Sequence, residues 1–298
     1  MENLTVVIVT FKTPEKIILD CLRSISPKVK VLIVENSENF TLKDKILSQF
    51  SNVELLCAGK NLGYGCANNY GMSFVKTDYV LILNPDVICA NDFFSNISEL
   101  ILKTQNFSII GCQYLHDDVF MPAGFFDNKK NNKFIKDFRN KNIESLSKVE
   151  WVTGCSMLVD LKKFKTKEIF DQNYFLYFEE SDFFIRCIKN NKKIYLYDKF
   201  SVKHGGSRSI NLKHKNEYFI FRSWHYCWSK FYYYKKHKNY FIALSKTFTN
   251  FKRSIFGMIK NLIVGDIFKF KLHNAEFRGL TKSYLFMKSN FRMDINID

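Results

Sequence analysis

The chain has 298 residues, of which 46% are hydrophobic and 16% aromatic, and it carries a formal net charge of +16 at pH 7. This length suits one α/β core with a smaller appended module, and the charge indicates an anionic partner such as nucleic acid, a membrane leaflet or a phosphorylated substrate. The sequence has no run of eighteen apolar residues, which excludes a bilayer-spanning helix, and no C-x-x-C pair, which argues against zinc or redox chemistry.

The first residues lead directly into a β-rich run, Thr5-Val6-Val7-Ile8-Val9. Neither a basic segment followed by a longer apolar one nor a small-residue cleavage site precedes it, so we expect a cytoplasmic protein.

Short β-branched runs alternate with helix-period segments over roughly the first two hundred residues. This alternation predicts an α/β fold, with a Rossmann-like, mostly parallel central sheet flanked by helices. The predicted strands are Thr5–Val9, Lys30–Val34, Val53–Cys57, Tyr79–Leu83, Ser108–Gly111, Ser156–Asp160 and Lys193–Tyr197. Thr13-Pro14-Glu15 predicts the start of a helix. Its inward face is predicted to hold Ile17, Ile18, Cys21, Leu22 and Ile25.

Two changes of composition follow. Residues 117–148 are polar and rich in Asn and Lys, which predicts a long excursion or flexible loop. After His204 the sequence becomes aromatic and basic, so we place a boundary near Ser207. The predicted domains are a catalytic domain over 1–206 and a mainly helical, basic and aromatic module over 207–298.

Polar segments follow the first four predicted strands, where a parallel sheet places its ligands. They are Thr10-Phe11-Lys12, Glu35-Asn36-Ser37, the run Asn61-Leu62-Gly63-Tyr64-Gly65-Cys66-Ala67-Asn68-Asn69-Tyr70-Gly71, and Asn84-Pro85-Asp86-Val87. In this order the segments resemble the inverting glycosyltransferase family 2 with the GT-A fold, and Asn-Pro-Asp-Val resembles its rhamnosyltransferase-like branch. The similarity continues through Trp151-Val152-Thr153-Gly154-Cys155, Phe178-Glu179-Glu180-Ser181-Asp182 with Arg186, and His204-Gly205-Gly206.

The resemblance implies transfer of one sugar, with rhamnose as the branch-level candidate, from a nucleotide-diphosphate donor to an acceptor hydroxyl. The acceptor oxygen attacks the anomeric carbon directly and inverts its configuration. The residues expected around the donor are Thr10, Lys12, Glu35, Asn61, Gly63, Asn68, Asn84, Asp86 and Arg208, with Arg222 as a further candidate for the diphosphate.

Glu35 is suited by position to accept hydrogen bonds from a nucleobase or ribose, although an ordinary loop acid that caps a turn would look the same. The family usually has Asp here. In the loop from Asn61, the glycines allow close backbone approach to a ligand. We expect Asn68 to stand at the opening of a helix, where N–H groups favour anions.

Asp86 is the candidate anchor for a divalent cation, Mg²⁺ or Mn²⁺, that would neutralise the leaving diphosphate. The family commonly has a D-x-D pattern, and this chain has Asn84 in place of the first acid. His204 is a possible second ligand, which would favour Mn²⁺, or else a structural histidine.

An acceptor hydroxyl needs a general base, and the acids at 179–182 are the candidates. By the family pattern Glu180 occupies the position of the base, and Asp182 is the alternative. Acids at a helix start also serve as dipole partners, and Asp182 with Arg186 would form an ordinary i,i+4 pair.

The basic aromatic end suits a lipid headgroup surface or stacked bases, or simply a solvated helical face. With the resemblance, the expected partner is the inner leaflet of the plasma membrane with a polyprenyl-diphosphate-linked saccharide, and not nucleic acid. The oligomeric state is left open. Two alternatives remain: a nucleotidyltransferase on a similar sheet, and a non-enzymatic nucleic-acid-binding protein.

Overall fold

The computed structural model describes residues 2–104, 106–114, 121–204 and 215–292, and these form two compact units. Unit 1 contains the described residues of 2–62, 67–169 and 183–204. Unit 2 contains 63–66, 170–182 and 215–292. The predicted boundary at Ser207 lies outside the described residues, and the division into 1–206 and 207–298 stays a prediction.

All seven predicted strands are present in unit 1, as β1, β2, β3, β4, β6, β10 and β11, and four short strands were not predicted. The strands are β1 Leu4–Thr10, β2 Lys30–Glu35, β3 Val53–Cys57, β4 Tyr79–Leu83, β5 Val87–Cys89, β6 Ile109–Tyr114, β7 Ala123–Gly124, β8 Leu146–Val149, β9 Trp151–Val152, β10 Ser156–Asp160 and β11 Ile194–His204.

The central sheet has the order β3-β2-β1-β4-β10-β6-β11-β5, and β8 also pairs with β11. Strands β3, β2, β1 and β4 are parallel, β10 is antiparallel to its two neighbours, and β6 and β11 are parallel again. Val6, Val7 and Ile8 in β1 are at most 1% exposed. Such full burial is expected where helices cover both faces of a sheet, and it explains the unbroken β-branched run.

The strand register decides which residues meet at the carboxyl edge. Thr10 at the end of β1 lies opposite Glu35 at the end of β2, and Glu35 lies opposite Cys57 of β3. At the far side of the sheet, His204 ends β11 opposite Val87 of β5.

The helices are α1 Glu15–Arg23, α2 Lys43–Gln49, α3 Tyr64–Ser73, α4 Phe93–Lys103, α5 Asn128–Arg139, α6 Glu179–Lys189, α7 Lys215–His237, α8 Tyr240–Val264 and α9 Ile267–Tyr284. Helix α1 confirms the predicted start, with Pro14 immediately before it. Of its predicted inward residues, Ile18, Cys21, Leu22 and Ile25 are buried, whereas Ile17 is half-buried.

Helix α5 corrects one expectation, because it occupies part of the stretch predicted as a flexible loop. The Asp127 side chain accepts a hydrogen bond from Lys130 N at 2.9 Å and so caps the helix start. Phe134 packs against Phe125 and Phe138, with ring centroids 5.7 and 6.1 Å away. The cap and this aromatic contact both help to order an Asn- and Lys-rich segment.

Unit 2 is built on α7, α8 and α9, which confirms the predicted C-terminal helical extension. Helices α7 and α9 approach closely, since a Cβ added to Gly279 would lie 2.4 Å from the carbonyl oxygen of Trp224. Ser283 Oγ donates to the Trp228 carbonyl at 2.9 Å, and Trp228 Nε1 donates to Met287 O at 2.9 Å. Within the described residues, no helix is both long enough and apolar enough to cross a membrane.

Candidate active site

Glu35 lies at the carboxyl edge of the unit 1 sheet and is only 1% exposed. Its Oε2 accepts a hydrogen bond from Thr10 Oγ1 at 2.6 Å, and its Oε1 accepts from Ser37 Oγ at 2.6 Å and from the backbone N of Lys12 at 3.3 Å. Lys12 itself has a left-handed backbone, with φ of 48°. Three of the predicted donor residues, Thr10, Lys12 and Glu35, are thus brought into one hydrogen-bonded group, in which buried Glu35 fixes the turn after β1.

Asn36 joins this turn to the loop that holds Asn61. The Asn36 side chain donates to Asn61 Oδ1 at 3.0 Å and accepts from Leu62 N at 2.8 Å. Its own backbone N donates to Thr10 O at 2.8 Å. The ends of β1 and β2 and the loop at 61–62 are therefore one connected group, and Asn36 is a contributor that we did not predict.

Gly63 lies in unit 2 and has a φ of 85°. A Cβ at this position would lie 2.3 Å from the carbonyl oxygen of Phe175, which also accepts from Tyr64 N at 3.1 Å. Only glycine fits this approach. Helix α3 already begins at Tyr64, so Asn68 lies in its second turn. The expectation of Asn68 at the helix opening is wrong, because the helix starts within the glycine-containing segment.

Asp86 and His204 face each other in unit 1. His204 Nε2 lies 3.3 Å from Asp86 Oδ1, and the two side chains are 24% and 6% exposed. Asn84 is held by its backbone, since its N donates to Cys155 O at 2.8 Å and its carbonyl accepts from Val87 N at 3.2 Å. The two predicted metal ligands, Asp86 and His204, are therefore neighbours. Asn84 supports the turn that connects β4 to Asp86.

Tyr114 orients His204 and was missed from sequence. Its ring stacks on the imidazole with centroids 6.0 Å apart, and its hydroxyl shares a hydrogen bond of 2.9 Å with Thr153 Oγ1. Thr153 belongs to the Trp151–Cys155 motif. Through its hydrogen bond to Tyr114, this motif helps to position His204. Tyr114 ends β6, beyond the predicted strand end at Gly111, which is why the pattern gave no signal for it.

The acidic cluster at the start of α6 contains carboxylates in different surroundings. Glu179 is 5% exposed, and burial raises its pKa to about 7. Its Oε2 has no hydrogen-bond partner. Glu180, the predicted base, is half-buried. Tyr177 and Phe178, just before the helix, have left-handed backbones with φ of 69° and 67°.

Asp182 contacts a lysine and a histidine within unit 2. It is fully buried, and its Oδ1 lies 2.6 Å from Lys236 Nζ and 2.8 Å from His237 Nε2. Lys236 Nζ also lies 2.6 Å from Asp171 Oδ2. Burial raises the pKa of Asp171, but the bonds from Lys236 and Asn173 outweigh it and leave that pKa lowered. Because Asp182 is buried in contact with Lys236, it is better suited to a structural ion pair than to the role of proton acceptor.

Of the two predicted arginines, the structure describes Arg222. Arg208 lies outside the described residues. Arg222 in α7 donates a hydrogen bond to the Tyr177 hydroxyl, and its guanidinium lies 5.3 Å from the ring centroids of Tyr177 and Tyr218. Arg222 is thus held among tyrosines of unit 2.

Known proteins agree with this architecture. Residues 5–164 match Glycosyl transferase family 2. The rhamnosyltransferase WbbL of Escherichia coli K12 is 26% identical over 211 residues, which cover 63% of this chain and 77% of WbbL. The dTDP-rhamnosyl transferase RfbF of Shigella flexneri is 24% identical over 219 residues, covering 70% and 72% of the two chains.

Among solved structures, the mannosyltransferase PcManGT of Pyrobaculum calidifontis, in complex with GDP-Man and Mn²⁺, is similar with a TM-score of 0.52 and 12% identity. The match covers 94% of this chain and 86% of that one. At this identity the likeness concerns the fold alone.

The sheet order, the polar strand ends and these similarities define a glycosyltransferase with the GT-A fold. Since the family match spans more than half of the sequence, the chain belongs to glycosyl transferase family 2. It is a sugar-transferring enzyme, as its relatives are.

In the part of the chain that the structure describes, no three His, Cys, Asp or Glu side chains converge as a metal site. Asp86 Oδ1 and His204 Nε2 nevertheless lie next to each other, and an oxygen ligand combined with a nitrogen ligand is suited to Mn²⁺. The residues present therefore fit a cation that takes its remaining ligands from substrate and water.

Proposed function

We propose that the enzyme transfers a hexose, with rhamnose from a dTDP-linked donor as the first candidate, to a hydroxyl of a saccharide acceptor in cell-surface polysaccharide synthesis. Support for rhamnose comes from the similarity to the rhamnosyltransferase WbbL and the dTDP-rhamnosyl transferase RfbF. The observation that carries the proposal is the arrangement of Thr10, Glu35 and Asp86 after the neighbouring parallel strands β1, β2 and β4.

On this proposal the nucleoside binds near the Thr10 and Glu35 group and the diphosphate near Asp86. Glu35 keeps a hydrogen-bonded carboxylate in place at the sheet edge, where a ribose or base donor would meet it. The loop at Asn61 and Gly63 borders the diphosphate, and Arg208 contributes a further positive charge.

A divalent cation, Mg²⁺ or Mn²⁺, would be held by Asp86 and His204 and, when bound, would neutralise charge on the leaving diphosphate. The chain's own contribution is to hold these two ligands together, through the β5 and β11 pairing and the Tyr114 ring. The neighbour PcManGT contains Mn²⁺, which supports the choice of a divalent ion.

Glu180 is proposed as the general base that takes the proton of the acceptor hydroxyl. Its side chain is half-buried, and the family pattern assigns the base to this position. As the acceptor oxygen bonds to the anomeric carbon, the bond to the nucleotide diphosphate breaks and configuration inverts. No covalent enzyme intermediate is needed.

We propose a polyprenyl-diphosphate-linked saccharide as acceptor and the inner face of the plasma membrane as the place of reaction, with the enzyme peripheral to it and otherwise in the cytoplasm. The supporting facts are the net charge of +16 and the basic, aromatic composition of the last ninety or so residues.

A panel of UDP-, dTDP- and GDP-sugars, each with and without Mn²⁺, tests the proposal by thermal shift and by release of nucleoside diphosphate. We expect dTDP-rhamnose with Mn²⁺ to give the largest shift and the fastest release. If no nucleotide sugar stabilises the protein or is hydrolysed, the proposed donor class is wrong. Salt-sensitive oligonucleotide binding in its place would favour a nucleic-acid-binding protein.

A further inference from the structure

Helix α8 has an inverted distribution of polar and apolar residues. Its buried residues are Ala243, Thr247, Ser254 and Asn261, which are small or polar. Its most exposed apolar residues, between 53% and 80% exposed, are Phe241, Phe248, Phe256, Ile259, Leu262, Ile263 and Val264. A helix of a water-soluble bundle normally buries the second kind and exposes the first.

The inward face combines these small and polar residues with Phe251, whose ring centroid lies 5.3 Å from that of Phe277 and 5.7 Å from that of Tyr284. Thr247 Oγ1 donates to Ala243 O, Ser254 Oγ donates to Phe251 O, and Asn261 Nδ2 donates to Gly257 O, each at 2.7 Å. These bonds satisfy the buried polar groups within the helix itself. Packing of α8 in unit 2 therefore does not require the phenylalanines and isoleucines of the other face.

Five of these exposed apolar residues form one stripe. At 100° per residue, Phe241, Phe248, Phe256, Ile259 and Ile263 fall within a sector of about 80°. We call these five residues the outer stripe.

Positive charge lies within the outer stripe, at Lys252, and to one side of it. Helix α8 contains Lys246, Lys252, Arg253 and Lys260 and no acidic residue. Lys252 Nζ lies 4.9 Å from the centroid of the Phe248 ring, so a cation and an apolar ring share one surface. Arg253 forms an ion pair with Glu276 of α9 at 2.8 Å.

The combination of exposed apolar residues and lysines distinguishes between two possible binding partners of the outer stripe, a second copy of the chain and a lipid leaflet. A second copy of the chain placed face to face would bring the same lysines toward each other, which is repulsive. An anionic lipid leaflet would accept the apolar side chains and attract the lysines. The length of α8, about 37 Å at 1.5 Å per residue, is suited to lying along the interface.

We propose that the outer stripe of α8 is the membrane-docking surface, inserted among the headgroups and upper acyl chains of an anionic leaflet. The inference rests on the proposed membrane location and gives it a named surface. Lys252 and Lys260 attract anionic headgroups, and the apolar side chains of the outer stripe insert into the leaflet.

The test is co-sedimentation of the full chain with vesicles of phosphatidylcholine alone or mixed with phosphatidylglycerol. We expect the wild type to bind the mixed vesicles, and the triple variant Phe248→Ser, Phe256→Ser, Ile259→Ser to bind them at least about tenfold more weakly. The matched control is Leu47→Ser, Phe74→Ser, Leu102→Ser, three exposed apolar residues of unit 1, which should bind like wild type. Matching circular dichroism melts would show that both variants are folded.

Undiminished vesicle binding by the α8 triple variant would overturn the inference. So would a wild-type dimer in light scattering that the same variant converts to a monomer without loss of lipid binding, because the outer stripe would then be a subunit interface. Hydrolysis of the soluble nucleotide sugar without vesicles is the separate readout. If hydrolysis is absent while stripe-dependent lipid binding persists, the proposed reaction fails and the docking surface stands.

Discussion

Asp86 and His204 meet across the short antiparallel pair of β5 and β11, with His204 Nε2 3.3 Å from Asp86 Oδ1. If Asp86 and His204 hold the divalent cation, the substitution Asp86→Asn removes a negative charge that faces the cation. We expect nucleotide-sugar hydrolysis to fall about 100-fold, and the Mn²⁺ concentration for half-maximal rate to rise. His204→Asn should cost less, about tenfold, and should shift the preference from Mn²⁺ toward Mg²⁺ because imidazole favours Mn²⁺.

The control for this pair is Asp92→Asn, which removes the same charge from an exposed position in the same unit. It should leave the metal titration unchanged. An unaltered metal titration in Asp86→Asn would mean that the cation binds elsewhere.

Glu180 and Asp182 are expected to respond differently to neutral replacement. Glu180→Gln should lower transfer at least about 100-fold with donor affinity retained, as for loss of a general base. Asp182→Asn disrupts the buried contacts with Lys236 and His237, so it should mainly lower the free energy of unfolding, by about 3 kcal/mol.

Initial rates of transfer, donor titration calorimetry and urea unfolding measure these three quantities on each variant. The reverse outcome, with Asp182→Asn stable and inactive and Glu180→Gln active, would assign the base to Asp182.

Glu179 makes the stability of unit 2 depend on pH. Burial raises its pKa in the folded chain to about 7, above its ordinary value of 4.5, so the folded state binds the proton more tightly than the unfolded state. The protonated Glu179 carboxyl therefore makes its full contribution to the free energy of unfolding below about pH 4.5, and this contribution is lost as the pH rises through about 7. Glu179→Gln should be more stable than wild type at about pH 8, by at most roughly 3 kcal/mol, with little difference at about pH 5.

Urea unfolding followed by tryptophan fluorescence, in a Trp151→Phe background, reports on this unit, because the other two tryptophans, Trp224 and Trp228, both lie in α7. Parallel curves of stability against pH for wild type and variant would show that Glu179 is ionised in the folded chain at neutral pH.

Gly63 and Gly59 form a natural pair for separating steric overlap from backbone strain. Both have positive φ, 85° and 69°, but a Cβ at Gly63 would lie 2.3 Å from Phe175 O, while one at Gly59 meets no atom within 4 Å. Gly59→Ala should cost about 1 kcal/mol of unfolding free energy from strain alone. Gly63→Ala should cost about 3 kcal/mol or more, because the segments at 63–66 and 170–182 must separate. Equal losses in thermal unfolding would refute the steric argument.

The strands were predictable because burial on both faces leaves a direct trace, an unbroken β-branched run such as the one in β1. The strand-end residues Thr10, Glu35 and Asp86 were predictable for the same reason, since a strand that is located also locates its end. Strand β5 has three residues and no comparable run, so its pairing with β11, which brings His204 to Asp86, has no local signal.

Contacts between distant segments were beyond the reach of sequence patterns. Asp182 meets Lys236 and His237 across more than fifty residues, and nothing near Asp182 indicates those partners. Helix α5 was missed for a different reason. Its asparagines and lysines have poor or ordinary helix propensity, and the decisive contributions come from one cap and from Phe134.

The inverted faces of α8 imply an unusual pattern of mutational tolerance. In most helices of soluble proteins, exposed positions accept polar residues freely and buried ones accept apolar residues. Here Ala243 and Ser254 are fully buried, so larger side chains at these positions should destabilise the fold. The positions of Phe248 and Ile259 should accept other large apolar residues and reject acidic ones. Surface engineering that replaces exposed hydrophobic residues to improve solubility would therefore remove the docking surface from this enzyme while leaving its fold intact.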